Sequence, residues 1–95
     1  MGGHFDHTLR GAGIIDNWSG ATMVANLLQA LGTERRRHTF VFVAFAREEE
    51  GLLGSRAFVH GLTKSELAKI GAMVNLDSLA LGPPVVWRIR ERATL

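Results

Sequence analysis

The residues from Thr39 to Ala46 form an almost unbroken apolar run that does not alternate between polar and apolar positions. A strand with one face in solvent shows such alternation, whereas a strand that is buried on both faces does not. The run therefore predicts a strand in the interior of a parallel or mixed sheet that is covered by helices. This segment restricts the fold more strongly than any other part of the sequence.

The remaining patterns predict helices and one further strand around this one. The longest helix begins near Ser19, a favourable N-cap residue, and ends at Leu31 before Gly32. Because few polar residues interrupt its apolar surface, we expect this helix to be largely buried. In chain order the predicted elements are a loop over 2–13, this helix, the strand over 39–46, a turn over 51–54, a short helix over 55–60, a helix from a capping box at 63–66 to residue 69 or 70, and a strand over 71–76. This order predicts an α/β fold.

The composition excludes several kinds of site and partner. The chain has 95 residues, enough for one small domain, and its lack of cysteine leaves His, Asp and Glu as the side chains that can hold a metal ion. The net charge is +2, and the basic clusters at 35–37 and 88–92 lack the interleaved aromatic residues of a nucleic-acid surface. The sequence shows neither a membrane-spanning apolar run nor a signal peptide. We therefore expect no nucleic-acid or membrane partner, and the localisation is left open.

Three adjacent carboxylates, Glu48, Glu49 and Glu50, follow the predicted central strand. Their like charges repel one another, and a bound metal dication would remove that repulsion. The alternative is an acidic loop that is exposed to water. Asp77 follows the second predicted strand, and ligands of open α/β sheets bind at the carboxyl ends of the strands. Two strand ends that both carry carboxylates therefore indicate a site.

Two further segments carry residue types that bind metals. His4 and Asp6 form a His-x-Asp pair, in which the aspartate can orient a ligating imidazole. Asp16 precedes the long helix, where it is either a ligand or a residue that shapes the turn. Together with Asp77 and the glutamates, these residues form a set of imidazole and carboxylate groups that suits zinc, manganese or cobalt in a hydrolytic site.

Four motifs follow one another along the chain. They are Gly3-His4-Phe5-Asp6, Gly13-Ile14-Ile15-Asp16-Asn17-Trp18-Ser19-Gly20, Glu48-Glu49-Glu50-Gly51-Leu52-Leu53-Gly54-Ser55 and Val74-Asn75-Leu76-Asp77. In these motifs the chain, from about Gly2 to Pro84, resembles the co-catalytic di-zinc aminopeptidases of the bacterial leucyl aminopeptidase and aminopeptidase Y type. The resemblance implies a layered α/β/α fold with a mixed, mostly parallel central sheet, incomplete in this chain. It also implies peptide substrates that have a free N-terminus.

The metal ligands are implied by the same resemblance. The first zinc ion would be bound by His4 and Asp77, Asp16 would bridge both zinc ions, and Glu49 would bind the second. Asp6 would support His4 without binding the metal itself.

The resemblance implies that Glu48 transfers protons as general base and acid, and it gives Glu50 no catalytic role. Arg47 stands where small residues are common in the family. A cation beside Glu48 would lower the pKa of that carboxyl and weaken it as a base, unless the Arg47 side chain points away.

A complete site of this kind has one more histidine, well downstream of the Asp77 position. This chain has no histidine after His60. We therefore interpret residues 1–95 as a single, truncated part of a catalytic domain, in which 1–84 carry the motifs and 85–95 have no assigned role. The second zinc site would then be incomplete, and exposed sheet edges would favour self-association.

Three functions fit these observations. The first is a zinc-dependent aminopeptidase that uses metal-activated water, or a fragment of one. The second is a non-catalytic, peptidase-like module for binding or assembly, which the missing histidine favours. The third is a glutaminyl cyclase, which shares the fold family and uses one zinc ion.

Overall fold

The structure of the chain, a computed structural model, describes residues 1–33 and 35–87. These residues form short strands and helices, which confirms the α/β class. In chain order the elements are strand β1 (Gly2–His4), an irregular helical turn (Ile14–Ser19), helix α1 (Gly20–Leu31), strand β2 (Val43–Phe45), helix α2 (Leu53–Gly61) and helix α3 (Lys64–Leu67). None of the helices in the described ranges is both long enough and apolar enough to cross a membrane.

Strand β1 pairs in parallel with β2, with Gly2 opposite Val43 and His4 opposite Phe45. The predicted loop over 2–13 is therefore wrong at its start. Two successive glycines give no strand signal, but their missing side chains allow neighbouring segments of the same chain to come close. A Cβ atom on Gly2 would lie 2.8 Å from the Phe45 ring and 2.8 Å from the Val43 carbonyl oxygen. Strand β1 therefore depends on close long-range packing rather than on local propensity.

On its other side, β1 contacts the segment that was predicted as the second strand. Gly2 forms a parallel bridge with Asn75, in which the Gly2 amide donates to the Val74 carbonyl at 2.9 Å and the Leu76 amide donates to the Gly2 carbonyl at 2.9 Å. Within the described residues the predicted strand over 71–76 is reduced to this bridge. Strand β1 thus lies between two parallel segments, and all three end at the same edge of the sheet.

The predicted central strand is shorter than the apolar run, because β1 offers it only three partners. Strand β2 spans Val43–Phe45, and the preceding Phe40 and Val41 are 44% and 57% exposed. The expected burial on both faces is wrong, since the described helices cover little of this segment. Phe58 of α2 packs edge-to-face on Phe45 of β2, with the ring centroids 5.8 Å apart.

Helix α1 has the predicted bounds, Gly20–Leu31. It packs on β1 and β2, and Val24 is buried with 5% of its surface exposed. The predicted burial of the whole helix is wrong, because two short strands cover one side and leave Met23 and Leu28 42% and 52% exposed. Ser19 occupies the predicted N-cap position, but its side chain makes no cap hydrogen bond.

The two short helices lie close to their predicted positions. Helix α2 begins slightly earlier than predicted, at Leu53. Helix α3 begins with the predicted capping box, in which the Glu66 amide donates to the Thr63 hydroxyl at 3.3 Å and the Thr63 amide donates to the Glu66 carboxylate at 2.8 Å. It ends at Leu67, before the predicted end, because the Lys69 and Ile70 amides bond to carbonyls three residues back instead of four.

Candidate metal centre

Four candidate residues lie at the ends of different segments. His4 ends β1, Asp16 lies in the turn before α1, Glu48 follows β2, and Asp77 follows the bridge at Asn75. Because the paired segments are parallel, their carboxyl ends meet at one edge of the sheet. The fold therefore places one imidazole and three carboxylates close together.

The imidazole of His4 lies at the centre of this group and is 3% exposed. Its Nε2 atom is 3.0 Å from an Asp16 oxygen, 3.6 Å from an Asp77 oxygen and 3.9 Å from a Glu48 oxygen. One ligand atom each from His4, Asp16 and Asp77 lie within 4.8 Å of one another. The structure thus brings together the three residues that the resemblance assigns to the first metal ion.

The electrostatics of this cluster favour a cation. Burial alone would lower the pKa of His4, but the negative charges of Asp77, Glu48 and Asp16 outweigh burial and raise it. A metal dication would supply positive charge in place of the imidazolium proton. One imidazole nitrogen with carboxylate oxygens is a donor set that can hold a divalent transition metal.

The other ring nitrogen of His4, Nδ1, lies 3.1 Å from the main-chain carbonyl oxygen of Asp6 and 3.5 Å from its carboxylate. That carboxylate accepts hydrogen bonds from two backbone amides, Glu48 N at 3.1 Å and Glu49 N at 3.2 Å. Burial alone would raise the pKa of Asp6, but these hydrogen bonds outweigh burial and lower it. Asp6 therefore contacts both the imidazole and the turn that carries the glutamates, and the sequence motif predicts only the first contact.

Glu48 and Glu50 lie in different surroundings. Glu48 is half-buried, and its pKa is raised by burial and by the neighbouring carboxylates, against the opposing effect of His4. The guanidinium of Arg47 turns towards Glu50 and donates to both of its oxygens, from Nε at 3.0 Å and from Nη2 at 2.6 Å. Arg47 therefore pairs with Glu50 and does not lower the pKa of Glu48.

Glu49, the fourth predicted ligand, is exposed and lies outside the three-residue cluster. It lines an open surface cavity of about 350 Å³ together with Asp16, and His7 and Arg10 also line this cavity. Asp16 therefore borders both the cluster around the imidazole and the open cavity that Glu49 lines.

Asn17 is a residue of this region for which the sequence predicted no role. Its side chain is fully buried and accepts a hydrogen bond from the amide of Gly20, the first residue of α1. An asparagine three positions before a helical amide is itself an N-cap signal. Ser19 was predicted as the cap instead, because it lies closer to the helix and is an equally favourable cap residue.

Comparison with known proteins places the chain in one family. It matches the model of Peptidase family M28 over residues 1–92. It is 36% identical over 80 residues to aminopeptidase Y of Saccharomyces cerevisiae, covering 84% of this chain and 15% of that protein. It is 36% identical over 86 residues to leupeptin-inactivating enzyme 1 of Streptomyces exfoliatus, covering 87% and 19%. It is 34% identical over 79 residues to leucine aminopeptidase 2 of Trichophyton rubrum, covering 83% and 16%. No solved structure gives a significant match.

The chain spans less than a fifth of the length of these curated relatives. The family match extends beyond residue 84, into the part that the motifs left without a role. The family is generally metal-dependent, in agreement with the cluster of His4, Asp16 and Asp77. The resemblance seen in the four motifs is therefore confirmed, and the chain belongs to Peptidase family M28.

Proposed function

We propose that the chain is the metal-binding part of an aminopeptidase, which hydrolyses N-terminal residues from peptides with a free N-terminus. The main support is the convergence of His4, Asp16 and Asp77 within 4.8 Å, with Glu48 beside them. Two of the relatives, aminopeptidase Y and leucine aminopeptidase 2, are aminopeptidases by name. The comparisons do not favour the two alternatives, a non-catalytic module and a glutaminyl cyclase.

The metal is proposed to be zinc, with two ions in the complete site. Ligand atoms around a tetrahedral zinc ion, at about 2.0–2.2 Å from it, lie roughly 3.3–3.6 Å from one another. The distances from His4 Nε2 to the Asp16 and Asp77 oxygens, 3.0 and 3.6 Å, fit such an ion after a small adjustment. Asp16 and Glu49, which line one cavity, would hold the second ion. The resemblance implies one more histidine ligand for that ion.

Zinc bound by these residues would polarise the scissile carbonyl and make water nucleophilic near neutral pH. Glu48 would take up the proton that water loses and return it to the leaving amine. Its raised pKa suits this exchange, because a carboxyl that titrates closer to neutral pH both accepts and donates a proton more readily. The contact of Asp6 with Nδ1 of His4 leaves Nε2 directed at the carboxylates, where the metal would lie.

The described residues are proposed to belong to one layered α/β/α domain with a mixed, mostly parallel central sheet. Strands β1 and β2 and the bridge at Asn75 would form part of its parallel region. Residues 88–95, the end of the segment without an assigned role, lie outside the described residues. In the described part of the chain, no strand pairs with the outer edge of β2, and self-association through that edge stays a prediction.

The role of Glu48 can be tested with Glu48→Gln, which keeps the size of the side chain and removes its proton chemistry. General acid–base catalysis contributes roughly 10²–10⁴-fold to rate. We therefore expect kcat for leucyl-p-nitroanilide hydrolysis by the zinc-loaded chain to fall at least about 100-fold. Zinc content, measured by elemental analysis, should stay at the parent level.

Glu50→Gln is the matched control, because that glutamate is exposed and paired with Arg47. It should keep the parent activity and zinc content. Parent-like turnover by Glu48→Gln would remove Glu48 from the mechanism, whereas a parent chain that holds no zinc would refute the metal centre itself.

A further inference from the structure

Asn17 has the largest fully buried side chain among the described residues. Its Oδ1 atom accepts hydrogen bonds from two backbone amides, Gly20 N at 2.9 Å and Ser78 N at 3.1 Å. Its Nδ2 atom donates to the carbonyl oxygen of Leu76 at 2.9 Å. One side chain therefore links the start of α1 to the segment that follows the bridge at Asn75.

Ser19 makes a second link between the same two segments. Its hydroxyl accepts a hydrogen bond from the Leu79 amide at 3.0 Å and donates to the Ile15 carbonyl at 2.6 Å. Together, the Asn17 and Ser19 side chains hold three backbone groups of residues 76–79. Asp77 lies inside that held segment, and Asp16 directly precedes Asn17.

Glycine is required where these segments meet. A Cβ atom on Gly20 would lie 2.1 Å from the Leu76 carbonyl oxygen and 2.4 Å from Asn17 Oδ1. A Cβ atom on Gly3 would lie 2.7 Å from the same carbonyl oxygen. The backbone around Asn17 is therefore packed too closely for a side chain, and the segment 76–79 has little room to shift.

The carboxylates on either side of this junction are themselves poorly enclosed. The side chains of Asp16 and Asp77 are 58% and 40% exposed. Packing around the carboxylates therefore does little to fix them, and their positions follow from their backbones. The buried amide of Asn17 is the group that bonds to the backbone on both sides of Asp77.

We propose that Asn17 is a positioning residue which, together with the Ser19 link to Leu79, sets the spacing between Asp16 and Asp77, and through it the affinity of the centre for a divalent metal. This inference rests on the metal binding proposed above, but not on peptidase activity. The Asn17 side chain bonds to backbone groups of Gly20, Leu76 and Ser78, so it would act without binding the metal itself. It acts through the backbone of the two residues whose oxygens face His4 Nε2.

The test compares Asn17→Ser with Asn26→Ser. Serine can still cap a helical amide, but it has no amide group to donate to the Leu76 carbonyl, and its shorter side chain withdraws the acceptor that Gly20 and Ser78 share. Co²⁺ titration of the chain, followed by visible absorption, reports both the affinity and the geometry of the ligands. Changes to groups that support metal ligands typically weaken metal binding about 10–100-fold.

We expect Asn17→Ser to bind Co²⁺ at least about tenfold more weakly per folded molecule, with an altered absorption band. Asn26→Ser is the matched control, because Asn26 lies exposed on α1 and its side chain donates to the Thr22 carbonyl, one turn back in the same helix. The control should bind Co²⁺ as the parent does.

A purely structural role predicts a lower unfolding midpoint in EDTA with parent-like Co²⁺ affinity and spectrum, and that result would overturn the proposal. Should Asn17→Ser not fold, Ser19→Ala carries the test, because it cuts the bond to Leu79 and leaves Asn17 in place. Parent-like Co²⁺ binding by Ser19→Ala would then count against the proposal, and weaker binding would support it. A parent chain that binds Co²⁺ but hydrolyses no peptide would refute the activity and leave this inference standing.

Discussion

Replacing Asp6 with asparagine should destabilise the chain more than its partial exposure suggests. The Asp6 carboxylate accepts from the amides of Glu48 and Glu49 at 3.1 and 3.2 Å. Asparagine has the same size but only one acceptor oxygen. Its Nδ2 group would face an amide donor, so one of the two amides would lose its partner.

The size of the effect follows from these contacts. A hydrogen bond to a charged group contributes about 1.5–3 kcal/mol to stability. The bonds to Asp6 are long and its side chain is 23% exposed, so the lower end of that range applies. We expect Asp6→Asn to lower the free energy of unfolding by about 1.5 kcal/mol. For an m-value of about 1–3 kcal/mol/M, the urea midpoint would then fall by roughly 0.5–1.5 M.

The assay is urea unfolding in EDTA, followed by circular dichroism at several pH values. The pKa of Asp6 is lowered in the folded chain, so the ionised form is the one that the fold stabilises. Its contribution is present above the unfolded pKa, about 4, and is lost as the pH falls through the lower folded value. The difference between parent and Asp6→Asn should therefore be full near pH 7 and should shrink in acid.

Glu50→Gln serves as the control, since it removes an exposed carboxylate from the same turn and should leave the urea midpoint unchanged. An Asp6→Asn variant that unfolds at the parent midpoint at pH 7 would show that the two amides gain nothing from the carboxylate. A difference that persists undiminished at acid pH would show that it does not come from the ionised form.

Two further predictions concern neighbouring contacts. The hydrogen bond from Arg47 lowers the pKa of Glu50. Arg47→Gln should therefore raise that pKa towards its ordinary value in an NMR titration. An unchanged Glu50 titration would contradict the ion pair. Gly20→Ala should lower the free energy of unfolding by about 1–3 kcal/mol through overpacking, and with it the thermal midpoint. The reason is that its Cβ would meet the Leu76 carbonyl oxygen at 2.1 Å. The control Gly61→Ala, with open space around its Cβ, should not lower the midpoint.

Elements whose signals are local were predicted well, and elements that depend on distant partners were not. The bounds of α1 and the capping box at Thr63 follow from residues within a few positions of each other. Strand β1 has no local signal, because Gly2 and Gly3 have low strand propensity. It forms since their missing side chains let two parallel segments approach, and that approach involves residues about forty and seventy positions away. The central strand was predicted too long because its length depends on a distant partner, β1, which pairs with it over three residues.

The candidate site shows the same division. Residue type and motif order were enough to select His4, Asp16 and Asp77, which the structure brings together. The hydrogen bonds that hold their backbones were not predictable from local sequence. The bond from the Ser78 amide to Asn17 joins residues 61 positions apart, and the bond from the Glu48 amide to Asp6 joins residues 42 positions apart. The residue types of a site can therefore be read from the sequence, whereas the hydrogen bonds that hold those residues in place depend on the fold.

Burial in the described residues is greatest for polar side chains at this site. Asn17 and His4 are 0% and 3% exposed, whereas Val41 and Trp18 are more than half exposed. A buried polar group without a partner costs about 1–3 kcal/mol. Loss of the hydrogen bonds of these two side chains would therefore weaken the packing of β1 against the start of α1. Those bonds also place the carboxylates of the centre. The fold at this edge of the sheet and the affinity for a metal consequently depend on the same contacts, so that a loss of one should be accompanied by a loss of the other.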